Sequence, residues 1–190
     1  MGPFARTAGL ICAASALCAG GPAMAQYDDG FGDLPNVSVE YYDVSGADVA
    51  AIRASMNARR PTDPRDGQPH DATTSWHISF RYRDDPGGCH ASQDPEFSAV
   101  VTLPRLADEG RVSSEALGRW RRFIAALRTH EAGHVRWAYE HVGEVKAALT
   151  APSCAGAGAA GEAAIRRIGQ HDALYDQQTR HGATQGAVFP

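Results

Sequence analysis

His130-Glu131-Ala132-Gly133-His134 stands in a segment, Ser113 to Leu149, whose apolar residues recur at helical spacing. Leu117, Trp120, Ile124, Leu127, His130 and His134 follow one face, which predicts a helix that turns both histidines inward. On a helix, residues four apart lie one above the other. The two imidazoles can therefore converge on one metal ion, with the Glu131 carboxylate at the next position round. This is the H-E-x-x-H arrangement of a zinc hydrolase: two histidines hold Zn²⁺ and the glutamate takes a proton from the bound water. Ser113 or Ser114 can cap the helix, and Glu115 in its first turn suits the helix dipole. Straight to Leu149 it would be about 55 Å long, against about 40 Å for a domain of this chain length. A bend or break is expected, placed before Thr129.

Outward from this helix, the apolar pattern changes period. Val37 to Val44 is rich in β-branched and aromatic residues and predicts a strand. Ser45 or Asp48 then caps a helix over 46–58, with Val49, Ile52 and Met56 at helical spacing. Residues 60–72 carry three prolines and read as a loop. Thr74 to Arg83 alternates, Trp76, Ile78, Phe80 and Tyr82 against His77, Ser79, Arg81 and Arg83, as in a half-buried strand. Residues 84–95 read as a loop around Cys89, and 96–103 as a strand ended by Pro104. A second long helix spans about 158–178, with Ile165, Ile168 and Asp172 on one face, after an Ala/Gly-rich stretch at 155–161 and before a polar tail. The expected fold is α+β and zincin-like: a small, partly antiparallel sheet packed on two long helices, with zinc at their crossing.

The ends bound where such a domain works. Arg6, the apolar run Ala8 to Cys18 and Ala23-Met24-Ala25 read as a cleavable signal peptide over residues 1–25. The run is too short for a permanent span, and neither Cys12 nor Cys18 follows a lipidation pattern, so no permanent membrane anchor is expected. Residues 26–36 read as a flexible leader, and 37–190 as the domain. Without Arg6 the chain keeps 17 of its 18 basic side chains against 22 acidic ones, a net charge of −5. No basic stripe is present to neutralise phosphates, which argues against a nucleic-acid partner. Cys89 and Cys154 are the cysteines left after cleavage. In a chain sent to an oxidising compartment, pairing is the default, against a metal-ligand or reactive-thiol reading. The bridge would close a loop of about 66 residues, worth roughly 4 kcal/mol in the chain-entropy model.

A catalytic zinc takes three protein ligands and water, so one ligand is still to be found. The metzincin spacing fails, because Arg136 and Glu140 stand where its Gly and third His belong. His141 lies about 10 Å further along the helix than His134, and Glu140 and Glu144 meet the same problem. The C-terminal Tyr175-Asp176-Gln177-Gln178-Thr179-Arg180-His181-Gly182 is the better source. Here the chain resembles DUF922, a bacterial family of uncharacterised domains described as predicted secreted zinc-dependent proteases. The matching pieces are Tyr41 to Gly46, Trp76-His77-Ile78, Cys89, Leu103-Pro104, His130 to His134, Cys154, and Tyr175-Asp176 with Thr179 and His181-Gly182. The resemblance implies a metallopeptidase-like role and supplies no substrate. His181 is the expected third ligand, because a neutral imidazole suits zinc and Gly182 lets the backbone turn close to the site. Asp176 is the alternative, as a direct ligand or as the acceptor for a ligand histidine's free N–H. Thr179 is expected to cap or buttress the turn. His70, His77, His90 and His171 have no supporting spacing.

The functional expectation is a secreted or periplasmic peptidase with one Zn²⁺ per chain and a peptide or protein substrate. Glu131 would act as base on the zinc-bound water and pass the proton to the leaving amine. Tyr139 or Tyr175 would assist at the scissile carbonyl, and strand 96–103 or 74–83 would take substrate backbone by strand addition. Two other readings stay open: a non-catalytic, zinc-stabilised binding module, and a metallo-amidase acting on cell-wall peptides. The module would not need Glu131, and four protein ligands would mark it.

Overall fold

Phe97, Ala99, Val101 and Leu103 are buried while Glu96, Ser98 and Val100 face outward, and the strand they form, β5 (Glu96–Leu106), is the spine of the sheet. The computed structural model describes residues 30–150 and 153–190; the expected signal peptide, 1–25, lies outside them. The described elements run β1 (Val37–Val44), α1 (Val49–Asn57), β2 (Thr73–Ser79), β3 (Tyr82–Asp85), β4 (Gly88–Ala91), β5, α2 (Ser114–Glu140), α3 (Val142–Ala148) and α4 (Cys154–Thr179). The class is α+β, with a small mixed sheet of order β1-β5-β2, parallel between β1 and β5 and antiparallel between β5 and β2. Val44, Ile52, Met56, Ile78, Phe123 and Val135 fill the core with the buried face of β5.

β5 does not stop at Pro104, which pairs with Tyr42 of β1. Its odd-numbered residues donate toward β1, as Ala99 N to Asn36 O and Ala107 N to Val44 O show. The donor that Pro104 lacks would therefore point the other way, where β2 has already ended opposite Thr102. A proline on an unpaired side removes no ladder bond.

The alternating run 74–83 is likewise not one strand. β2 ends at Ser79, and Tyr82 opens β3, which pairs with β4 in a separate two-stranded sheet. The expected loop 84–95 thus contains a hairpin, turned by Asp85-Pro86-Gly87-Gly88: Asp85 Oδ1 accepts from Gly87 N at 3.0 Å, and Gly88 takes φ 106°. Cys89 on β4 is buried and disulfide-bonded to Cys154, with Cα atoms 4.9 Å apart, which ties the hairpin to the first turn of α4.

The Asp48 side chain caps α1 through Ala51 N, and Ser113 caps α2 through Ala116 N. The 27 residues of α2 form one uninterrupted helix about 40 Å long, enough to cross the domain. The expected break before Thr129 falls instead at His141, whose Nδ1 donates to Trp137 O at 2.7 Å. Gly143, a weak helix former, stands two residues on. α4 begins at Cys154, earlier than expected, because the small residues of 155–161 pack closely. A Cβ on Gly161 would lie 2.9 Å from both Leu149 and Phe80. Residues 30–36 are not a flexible leader either. Phe31 and Leu34 are buried, Arg136 pairs with Asp33, and Asn36 Nδ2 donates to Phe97 O. Among the described residues, no helix is long and apolar enough to cross a membrane.

Candidate metal centre

α2 and α4 cross so that two pairs with the same i, i+4 spacing face one another: His130 and His134 on α2, Asp172 and Asp176 on α4. His130 and His134 are each 2% exposed and Asp172 is 3% exposed. Asp176 Oδ1 lies 3.1 Å from Nε2 of His130 and 3.1 Å from Nε2 of His134, and the two Nε2 atoms are 3.3 Å apart. A tetrahedral zinc with ligands at about 2.0–2.1 Å has ligand–ligand edges of about 3.3 Å, so the three atoms have the spacing of one face of that tetrahedron. These three residues are the group among the described residues whose ligand atoms converge as a metal requires.

The protonation pattern points the same way. His134 Nδ1 meets Asp172 Oδ1 at 3.0 Å, so the proton sits on Nδ1 and the Nε2 lone pair of neutral His134 faces the cluster. His130 Nδ1 meets Gln185 Oε1 at 3.0 Å, while Gln185 Nε2 donates to the Tyr175 hydroxyl at 2.9 Å. Two imidazole lone pairs and a carboxylate oxygen therefore point at one another, which only a cation or added protons can stabilise. In the metal-free protein, protons serve. Burial would lower the pKa of His134, but its bonds to Asp172 and Asp176, with the Glu131 charge, push it up to about 9. Burial would raise that of Asp176, but both histidines hold its carboxyl well below the usual range.

Glu131 is 5% exposed, and Thr74 on β2 donates to its Oε2 at 2.7 Å. Burial raises its pKa, against the His134 charge and the Thr74 bond. It lines a pocket of about 170 Å³ with His130, His134, Asp176, Arg65 and His181. A larger groove of about 540 Å³, bounded by Tyr41, Trp120, Ile124 and Arg128, lies on a different face of α2 and holds none of these groups.

Of the two candidates for the third ligand, the fold brings in Asp176. His181 stands at the pocket rim, its side chain 55% exposed and Nδ1 3.5 Å from Asp176 Oδ1. It misses the cluster because α4 has ended: Arg180, His181 and Gly182 all take left-handed φ of 52°, 51° and 78°. Thr179 buttresses that turn, donating to Tyr175 O and accepting from Gly182 N. Gly182 is needed for closeness as well as conformation, since a Cβ there would lie 2.9 Å from the His130 ring. Of the two tyrosines, Tyr175 stacks on His130 with centroids 5.0 Å apart, and Tyr139 packs on Phe97; neither lines the pocket. His70 bonds Asp66 at the rim, His141 and His171 stack on Trp137, and His77 is exposed.

Sequence reasoning missed Arg65, Thr74, Trp76 and Gln185. Trp76 Nε1 donates to Asp172 Oδ2 at 2.6 Å, and Arg65 reaches both α4 aspartates. For Asp172 two signals are available, its place on the apolar face with Ile165 and Ile168 and its spacing to Asp176, a repeat of the His130/His134 interval.

Fold and site together define an α+β domain built round a His-His-Asp cluster, two buried histidines and a half-buried aspartate, able to hold a metal ion. The chain belongs to DUF922, a family described as bacterial protein of unknown function, which matches residues 39–182. No curated protein and no solved structure matches it.

Proposed function

We propose that this domain is an exported zinc-dependent peptidase with a zincin-like centre, in which His130, His134 and Asp176 hold the ion and Glu131 is the general base. The observation that carries this reading is the 3.1–3.3 Å triangle of Nε2, Nε2 and Oδ1, with a buried carboxylate beside it in a pocket. A zinc ion bound there supplies Lewis acidity, lowering the pKa of a coordinated water towards ~7 and polarising a carbonyl. Asp172 and Gln185 set the tautomers that present Nε2 of His134 and His130 to the centre. Thr74 holds one oxygen of Glu131, leaving the other to accept a proton. The raised pKa of Glu131 suits passing that proton to a leaving amine.

β5 is interior to the sheet and leaves no edge for strand addition over 96–102. The edge beside the site is β2. The backbone groups of Thr74, Trp76 and Ile78 face away from β5 there, and the Thr74 and Trp76 side chains reach Glu131 and Asp172. That edge is our choice for substrate backbone. The Cys89–Cys154 disulfide supports export. A three-ligand cluster supports catalysis over a structural zinc, which four protein ligands would close. The test incubates the mature protein, with and without chelator, against mixed peptides and cell-wall substrates. Chelator-sensitive cleavage of peptides is expected. Activity on cell-wall peptides alone would make it an amidase, and inertness with a fully coordinated zinc a structural module.

A further inference from the structure

We infer that Arg65 makes Asp176 a one-oxygen ligand and so keeps a coordination position open at the centre; this rests on reading the cluster as a metal site. A carboxylate can bind a metal through one oxygen or both. The two aspartates of α4 divide their oxygens in the same way. Oδ1 of each faces His134: Asp172 Oδ1 at Nδ1, 3.0 Å, and Asp176 Oδ1 at Nε2, 3.1 Å. Oδ2 of each faces Arg65: Asp172 Oδ2 to Nη1 at 3.5 Å, and Asp176 Oδ2 to Nη2 at 3.8 Å. One planar guanidinium thus spans both outer oxygens. It is always charged and has no acceptor, so it draws Oδ2 without becoming a metal ligand itself.

The position of Arg65 is set from outside the metal centre. Asp63, 6% exposed, grips its Nη2 at 2.7 Å and its Nε at 3.1 and 3.2 Å, and also accepts its backbone N–H at 2.7 Å. Asp63 is held in turn by a tight loop, with Gly67 N donating to Asp63 O at 2.8 Å and Asp63 N to Gln68 O at 2.9 Å. Arg65 lines the pocket with Glu131 and the three candidate ligands. Without it, Asp176 Oδ2 loses the guanidinium beside it and is free to rotate onto the metal as an added ligand, raising the coordination number and crowding the place a substrate needs.

Cobalt loading of the full mature protein tests this, because four-coordinate Co²⁺ has intense visible bands that weaken as coordination rises. Wild type is expected to take one Co²⁺ with intense bands and to bind azide. Arg65→Met should keep its Co²⁺ but show weakened bands. Its azide affinity should be lower by about 10-fold or more, the scale of changes behind a metal ligand. Arg65→Lys keeps the charge without the fork and should shift the same way by less. It decides by the same criteria if Arg65→Met does not fold. A metal-loaded Arg65 variant with wild-type bands and azide affinity overturns the inference. So does a wild type whose Co²⁺ is weakly absorbing and blind to azide. A wild type that takes up no metal overturns the metal-site reading itself, and the inference with it.

Discussion

His134 stands between two carboxylates of one helix, its Nδ1 3.0 Å from Asp172 Oδ1 and its Nε2 3.1 Å from Asp176 Oδ1. Asp172 orients the ring and Asp176 shares its free face. Asp172→Asn should therefore keep the fold and weaken zinc binding by about 10–100-fold. Competition with a calibrated chelator measures this, and an unchanged affinity would remove Asp172 from the centre.

Asp176 and His181 separate cleanly. Asp176→Ala should abolish stoichiometric zinc, while His181→Ala, altering a rim residue, should retain it. Elemental analysis of both variants suffices. Metal lost from His181→Ala and kept in Asp176→Ala would return His181 to the third-ligand place.

Glu131→Gln keeps shape and hydrogen-bonding capacity but removes the proton acceptor. Zinc content and melting temperature should stay near wild type, and hydrolysis should fall by about 10²–10⁴-fold. An active variant would rule Glu131 out as base.

The metal-free protein should show a distinctive pH response. His134, raised from 6.5 to about 9, contributes stability that is fully present below pH 6.5 and lost as pH rises through 9. Asp176, with its carboxyl depressed from 3.8, contributes stability present above that value and lost as pH falls. Chelator-treated protein should thus melt higher at pH 5.5 than at pH 9.5, on the order of the window these shifts define. Zinc affinity should run oppositely, rising with pH toward about 9, because binding displaces the His134 proton. Equal melting temperatures at both pH values would contradict the first expectation.

Gly133 sits under a tyrosine: a Cβ there would lie 2.4 Å from the Tyr175 hydroxyl oxygen and 2.7 Å from its ring. Although alanine favours helix by about 1 kcal/mol over glycine, Gly133→Ala should destabilise the domain by about 1–3 kcal/mol through overpacking. Denaturant unfolding checks this, and a Tyr175→Ala background should remove much of the cost. A stabilised single variant would show that Tyr175 moves freely.

The sequence by itself determined the parts of this protein that depend on local spacing. His130 and His134 share a face because any helix places i and i+4 together, and the apolar stripe from Leu117 to Leu127 shows which face turns inward. The α+β class, α1 with a cap at Ser45 or Asp48, and the pairing of Cys89 with Cys154 followed from period, cap chemistry and cysteine count; the structure chose Asp48. Tertiary structure decided everything that depends on which elements meet. Asp176 rather than His181 reaches the imidazoles because α4 ends in a left-handed turn after Thr179, and that geometry shows only once α2 and α4 are packed. Pro104 sits inside β5 because β2 is short, a fact about the neighbouring strand and not about proline. Arg65 lies more than 60 positions from His130, in a loop of no regular period, and only the Asp63 turn aims it at the α4 carboxylates. Spacing reports what one helix or strand presents, and the partner across the gap is chosen by packing.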